Sequence, residues 1–234
     1  MGPSTSLHPP GTAAGEDDLS APIQRRARLS NEFQDSAMSE ALNDAALKQL
    51  FTEARTFNKF QATAIDDAAL HALVDLMKWG PTSMNSQPGR IVFVRSAEAK
   101  EKLKGALMGG NVDKTIAAPV TAIVAYDTEF HEHLPTQFAA MPGARDMFHG
   151  NTGLIETTGL RNSSLQGAYL ILAARALGID SGAMSGFNNA AVDAAFFPEG
   201  KWKSNFLINL GYGDASGNWP RGPRLPFETM ARID

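Results

Sequence analysis

Trp79-Gly80-Pro81-Thr82-Ser83-Met84-Asn85-Ser86-Gln87-Pro88 lies between a helical pattern and a strand pattern. Two prolines bracket a run of hydroxyls and amides. The stretch has too little apolar surface to join a core, so it reads as a stiff loop that presents hydrogen-bond donors and acceptors. A flat ligand with a polar edge needs such a loop. A plain polar turn has the same composition, so the flanking segments must decide.

Upstream, Leu70, Leu73, Val74 and Met77 form a helical stripe that starts near Asp66, with Gly80 as its stop. An earlier stripe of Leu47, Leu50, Phe51 and Ala54 predicts a first helix from Asp44, closed by Arg55. Downstream, residues 90–94 (RIVFV) and 120–126 (VTAIVAY) read as strands, with a polar-faced helix at 97–108 between them. Residues 127–156 are irregular and rich in Phe, His, Pro and Gly. They are long for a loop and read as a lid in which Phe130, Phe138 and Phe148 cover a site. A long helix is predicted over 158–177, then a glycine-containing crossing at 181–187, a short helix at 189–196 and a strand at 204–210. Helices packed on one small sheet make the chain α+β.

Composition narrows the function. Of 234 residues, 43% are hydrophobic, enough for a sizeable core. Residues 1–38 are rich in Pro, Gly, Ser and charge without apolar period, the composition of a disordered tail, which leaves 39–234 as one domain. The net charge of −4 and the lack of a basic stripe argue against nucleic acid. The chain has no cysteine, which excludes disulfides, thiolate metal sites and a cysteine nucleophile. The longest apolar run, residues 168–174, ends at Arg175, far short of the roughly 20 residues of a membrane span. Arg25-Arg26 is followed by polar residues rather than a signal-peptide core, so the expectation is a cytoplasmic protein.

Three other signals carry little. The glycines of residues 211–217 miss the dinucleotide spacing and no helix follows them. His131, Glu132, His133 and His149 read as solvated lid residues with no metal expected. Ser163-Ser164 lacks the context of a nucleophile elbow.

Four segments together resemble the FMN-dependent nitroreductase family: Ala54-Arg55-Thr56, the loop from Pro81 to Pro88, Asn111-Val112-Asp113-Lys114, and Pro223-Arg224-Leu225-Pro226. The stretch from Leu160 to Tyr169, with Met184-Ser185-Gly186-Phe187, resembles the malonic semialdehyde reductase branch. The resemblance implies a small, mostly antiparallel sheet flanked by helices. It also implies an intertwined homodimer with FMN at the subunit interface, NADH or NADPH as transient hydride donor and a small-molecule acceptor. The flavin would carry the chemistry, so no catalytic side chain is expected.

By family position, Arg55 and Arg224 hold the FMN phosphate, with Arg221 assisting; planar guanidinium forks suit a dianionic phosphate. Thr56, Phe57 and Lys59 belong to the same N-terminal binding segment, where Phe57 replaces the serine of many relatives. Pro81, Thr82, Ser83 and Asn85 lie against the flavin, generally that of the partner. Asn111 and Lys114 lie near its pyrimidine edge, where an ammonium favours the reduced form. Backbone at Met184, Ser185 and Gly186 approaches the flavin nitrogen, and Ser185 stands where many relatives carry an acid.

Overall fold

The computed structural model describes residues 39–234. The predicted tail at 1–38 lies outside the described residues. The chain divides into residues 1–44, of which 39–44 are described and exposed, and residues 45–234.

A short helix, α1 (Asp44–Leu47), widens at once into a π-helical turn, Lys48–Thr52. The predicted helix therefore ends early, and Arg55 follows it in extended chain instead of closing it. The cause is tertiary. Arg175 Nη1 donates to the Leu50 carbonyl at 2.7 Å, and Gln49 Nε2 donates to the Arg175 carbonyl at 2.6 Å.

The next helix, α2 (Asp67–Met77), is capped by Asp66, whose carboxylate accepts from Ala69 N at 2.8 Å. It buries Leu70, Leu73 and Met77 as the stripe predicted. Gly80 is not a left-handed stop. A Cβ there would stand 2.7 Å from the Tyr169 ring, so close approach explains the residue.

Then come β1 (Gly89–Val94), α3 (Ala97–Lys104), α4 (Gly109–Ala117) and β2 (Val120–Asp127). The single helix predicted at 97–108 stops at Lys104, and a second begins at Gly109. The insertion after β2 is folded rather than irregular. It contains 3-10 turns at Phe130–His133 and Pro142–Met147 around α5 (Leu134–Gln137). Phe130 and Phe148 are buried in their own cluster with Leu134 and Ala144, their ring centroids 5.0 Å apart, so neither is free to cover a site. His131 is buried beside Phe148, not solvated as predicted.

The long helix α6 (Thr152–Ala176) starts six residues before the predicted 158, capped by Asn151. It is followed by β3 (Asp180–Met184), α7 (Asn189–Phe196), β4 (Trp202–Gly211) and a terminal turn, α8 (Phe227–Met230). The predicted crossing at 181–187 thus begins with a strand. Its Ser-Gly-Ala sequence lacks apolar alternation because it is an edge strand against other backbone.

The sheet has the order β1-β2-β4-β3, and every pair is antiparallel. Alternation on β2 and β4 sends Val120, Ala122, Val124, Ile208 and Leu210 to α2 and α6. Ile123, Ala125 and Leu207 face the opposite layer with Leu103 and Val192. Two glycines let α6 lie close on the sheet: a Cβ on Gly159 would stand 2.4 Å from the Tyr126 ring, and one on Gly167 would stand 2.4 Å from Phe206. No helix among the described residues is long and apolar enough to cross a membrane.

Candidate cofactor site

The chain after α1 runs along the free edge of β3. Thr56 bridges Ser181 in parallel, and Phe57 N donates to the Ser181 carbonyl at 3.0 Å. Further on, Phe60 bridges Gly213, and Asp214 N donates to the Lys59 carbonyl at 2.9 Å. Residues 55–61 are thus held between β3 and the chain leaving β4. Phe57, the departure from the family pattern, packs its ring over Gly213, where a Cβ would meet it at 2.3 Å. In this position it is a packing residue.

Four cations of the prediction fall in this region, with different partners. Arg55 Nη2 donates to the Trp219 carbonyl, and Arg221 Nη2 donates to the Ala54 carbonyl at 3.1 Å. These reciprocal bonds bring the two guanidinium groups to the junction of the N-terminal strand and the tail. Lys59 is already paired with Asp214 at 2.7 Å and bonds Ser216 Oγ at 3.0 Å. Arg224 Nη1 donates to the carbonyls of Gly222 (3.0 Å) and Pro223 (3.3 Å) in its own tail segment.

The Asp214 carboxyl is held at about 2 by its bonds with Lys59 and Ser216. A depressed carboxylate stabilises the fold above its ordinary value of 3.8, and that contribution is lost as pH falls through about 2. NMR titration should place the Asp214 midpoint near 2, and Lys59→Ala should return it toward the ordinary aspartate value; an unmoved midpoint would exclude the pair.

From the other side α4 supplies Asn111 and Lys114. Asn111 Nδ2 donates to the Gly186 carbonyl at 2.8 Å, and a Cβ on Gly186 would lie 2.3 Å from that amide. Lys114 Nζ reaches Asn58 Oδ1 at 3.4 Å, and partial burial holds its ammonium below the usual lysine range. A nearby anion would offset that desolvation. Met184 is buried under α4 and Ser185 is exposed beside Gly186.

The loop after Pro81 lies elsewhere. Among the described residues no hydrogen bond joins it to residues 55–59, to α4 or to 184–186. It is left-handed at Met84, Asn85 and Gln87, with φ of 52°, 48° and 41°. Such backbone persists only when its surroundings fix it. Ser83 N donates to Asn162 Oδ1 at 2.8 Å, and Gly89 N donates to Gln166 Oε1 at 2.7 Å, so α6 grips both ends. Thr82 Oγ1 accepts from Gln87 N at 3.1 Å, and Asn85 Nδ2 donates to the Gln137 carbonyl at 3.0 Å. Thr82 therefore spends its side-chain bond on the loop itself and Asn85 on α5, while the exposed Ser83 hydroxyl stays free.

The sequence reading missed Asn58, Trp219, Asn162 and Gln166. Asn162 and Gln166 carried a signal, since both are polar residues in an otherwise packed helix. A separate cavity of about 740 Å³ opens between α6, α7 and the start of β4, with Tyr126, His131, Glu156 and Asp193 among its walls. None of the predicted site residues lines it.

Known proteins agree with this architecture. The nitroreductase family profile matches residues 51–212. A Burkholderia lata protein, provisionally named an NADH dehydrogenase/NAD(P)H nitroreductase, is 61% identical over 193 residues, 82% of this chain and 98% of its own. A protein of the same name from Rhodopseudomonas palustris is 58% identical over 84% of this chain and 100% of its own. Among solved structures, a Bacillus subtilis nitroreductase superposes with a TM-score of 0.74 at 21% identity, covering 82% of this chain and 100% of that one. An Exiguobacterium sibiricum nitroreductase solved with FMN gives 0.72 at 19% identity, covering 84% and 100%. With a β1-β2-β4-β3 sheet, a strand-edge cation cluster and these relatives, the chain belongs to the nitroreductase family.

Proposed function

We propose that this chain is an FMN-dependent NAD(P)H oxidoreductase. The observation that carries the reading is convergence at one sheet edge: Arg55 and Arg221 meet at the tail junction, and Lys114 and the Asn111–Gly186 contact lie on the α4 side. The residues fit the cofactor. Two guanidinium groups suit its phosphate, and a partly desolvated ammonium gains from an anion. Bound FMN would take hydride from the nicotinamide and pass it to the acceptor. The chain's own groups bind the phosphate, orient the ring and place positive charge beside its pyrimidine edge.

The displaced loop supports a homodimer in which Pro81, Thr82, Ser83 and Asn85 serve the neighbouring site, with the free Ser83 hydroxyl as the contacting side chain. Exposed Leu165 and Tyr169 on α6, with exposed Leu76 and Trp79 near the loop in sequence, supply apolar surface for that partner.

The acceptor is a small carboxylated aldehyde such as malonic semialdehyde, reduced to 3-hydroxypropionate by a ping-pong sequence. This rests on the resemblance of residues 161–187. The alternative is a general nitroaromatic or quinone reductase, and a second is a flavin carrier without turnover. The purified protein should be a yellow dimer that NADH or NADPH bleaches, with parallel double-reciprocal lines for donor and malonic semialdehyde. Intersecting lines would reject a shared site. A far higher kcat/KM for nitroaromatics would select the alternative, and failure to bleach would select the carrier.

A further inference from the structure

The apolar end of β4, residues 206–211, carries one residue that does not fit its surroundings. Asn209 is 0% exposed between Ile208 and Leu210. It pairs directly with Thr121 of β2 in the sheet register. Thr121 Oγ1 donates to Asn209 Oδ1 at 2.8 Å. On the side facing α4, Asn209 Nδ2 donates to Thr115 Oγ1 at 3.3 Å and to the Lys114 carbonyl at 3.4 Å. Thr115 Oγ1 in turn donates to Met184 Sδ at 3.6 Å. Thr115 and Thr121 are also 0% exposed.

We propose that Asn209, Thr115 and Thr121 are positioning residues that fix α4 against the sheet and thereby set the reduction potential of the bound flavin. The proposal rests on the reading above that Lys114 faces that flavin.

Buried polar groups cost stability unless they are bonded, and an apolar trio of similar volume would fill the same space. The helix end does not need this network for satisfaction, because the Lys114 carbonyl already accepts from Ala118 N at 3.2 Å. What the network adds is direction. Two bonds from Asn209 on central strand β4, itself held by Thr121 of β2, and one bond to Met184 on β3 define where the last turn of α4 sits. Lys114 projects from that turn to Asn58, and Asn111 lies one turn earlier on the Gly186 carbonyl. Met184, the end of β3, is tied to the same threonine. A shift of α4 on the sheet therefore moves the ammonium and loosens the backbone at 184–186 together. An ammonium farther from the ring favours the anionic reduced flavin less.

The test uses FMN-loaded protein and reads the two-electron midpoint potential, FMN affinity and thermal stability. Thr115→Val should cut the reduced-to-oxidised ratio at fixed potential threefold to tenfold, a fall of about 15–30 mV at about 30 mV per tenfold for two electrons. Thr115→Ser keeps the hydroxyl and should return the potential to that of the parent. If Thr115→Val does not fold, the triple variant Thr115→Val, Thr121→Val, Asn209→Leu leaves no unpaired buried side chain. It should keep the thermal stability of the parent while showing the lowered potential. A parent-like potential in a folded Thr115→Val or triple variant overturns the network's role. Lys114→Gln is the control: if it leaves the potential unchanged, the placement of Lys114 at the flavin fails and the proposal falls with it. If Lys114→Gln lowers the potential and the network variants do not, only the positioning role is rejected.

Discussion

Arg55→Ala is expected to weaken FMN binding by about one to two orders of magnitude, the loss of a charge-assisted contact of roughly 1.5–3 kcal/mol. The guanidinium stands at the junction of the N-terminal strand and the tail, where it bonds the Trp219 carbonyl and faces the reciprocal Arg221–Ala54 bond. In the proposed site, one substitution therefore removes a phosphate fork and slackens the tail that carries the second. Arg55→Lys keeps the charge but loses the fork, so it should fall between the parent and alanine. Arg221→Ala should cost less than Arg55→Ala, and Arg224→Ala least, because Arg224 folds back on Gly222 and Pro223. The family position makes both Arg224 and Arg55 phosphate ligands, and their different contacts motivate the expected order. Titration of apoprotein with FMN, followed by flavin fluorescence, gives the order. If Arg224→Ala loses more affinity than Arg55→Ala, the tail must leave the course seen here when the cofactor binds.

Gly182→Ala should cost both stability and cofactor. The new methyl would stand 2.4 Å from the Phe57 carbonyl oxygen, a backbone atom that cannot rotate away. The segment at 55–59 must then lift from β3, breaking the Phe57–Ser181 bond and moving Arg55 with it. Overpacking of this kind costs about 1–3 kcal/mol, which for a domain of this size lowers the thermal midpoint by roughly 2–12 °C. FMN affinity should drop with it, and adding FMN should recover less stability than it does in the parent. Ala183→Gly is a suitable control, since Ala183 is exposed on the same strand. Parent-like FMN affinity in Gly182→Ala would show that the strand edge does not hold the site.

The sequence was read best where a residue's role is set by its near neighbours. The stripe of α2, the apolar runs of β1, β2 and β4, and the bounds of α7 follow from side-chain period and caps that lie within a few positions. The reading failed where backbone meets backbone far along the chain. Ser181-Gly182-Ala183 is a strand because Thr56 and β4 flank it, and nothing in those residues announces either neighbour. The lid phenylalanines face the same limit. Aromatic side chains in an irregular stretch can cover a ligand or bury one another, and only the 5.0 Å approach of Phe130 and Phe148 decides between them.

For the site, sequence alone determined the chemistry available. It supplied arginines able to fork a phosphate, a hydroxyl and amide loop, a lysine one turn after an asparagine, and a glycine in the crossing segment. Tertiary structure decided which of these groups act together. It joined Arg55 to the tail, bonded Arg224 to the carbonyls of its own tail segment, paired Lys59 with Asp214, and set the Phe57 ring over Gly213. It also put Asn209 beneath α4. The physical reason is that composition and spacing fix what a side chain can bond, whereas the partner it does bond lies across contacts of up to 167 positions, as between Arg221 and Ala54. Such contacts exist only once the sheet has closed and its free edge has been covered.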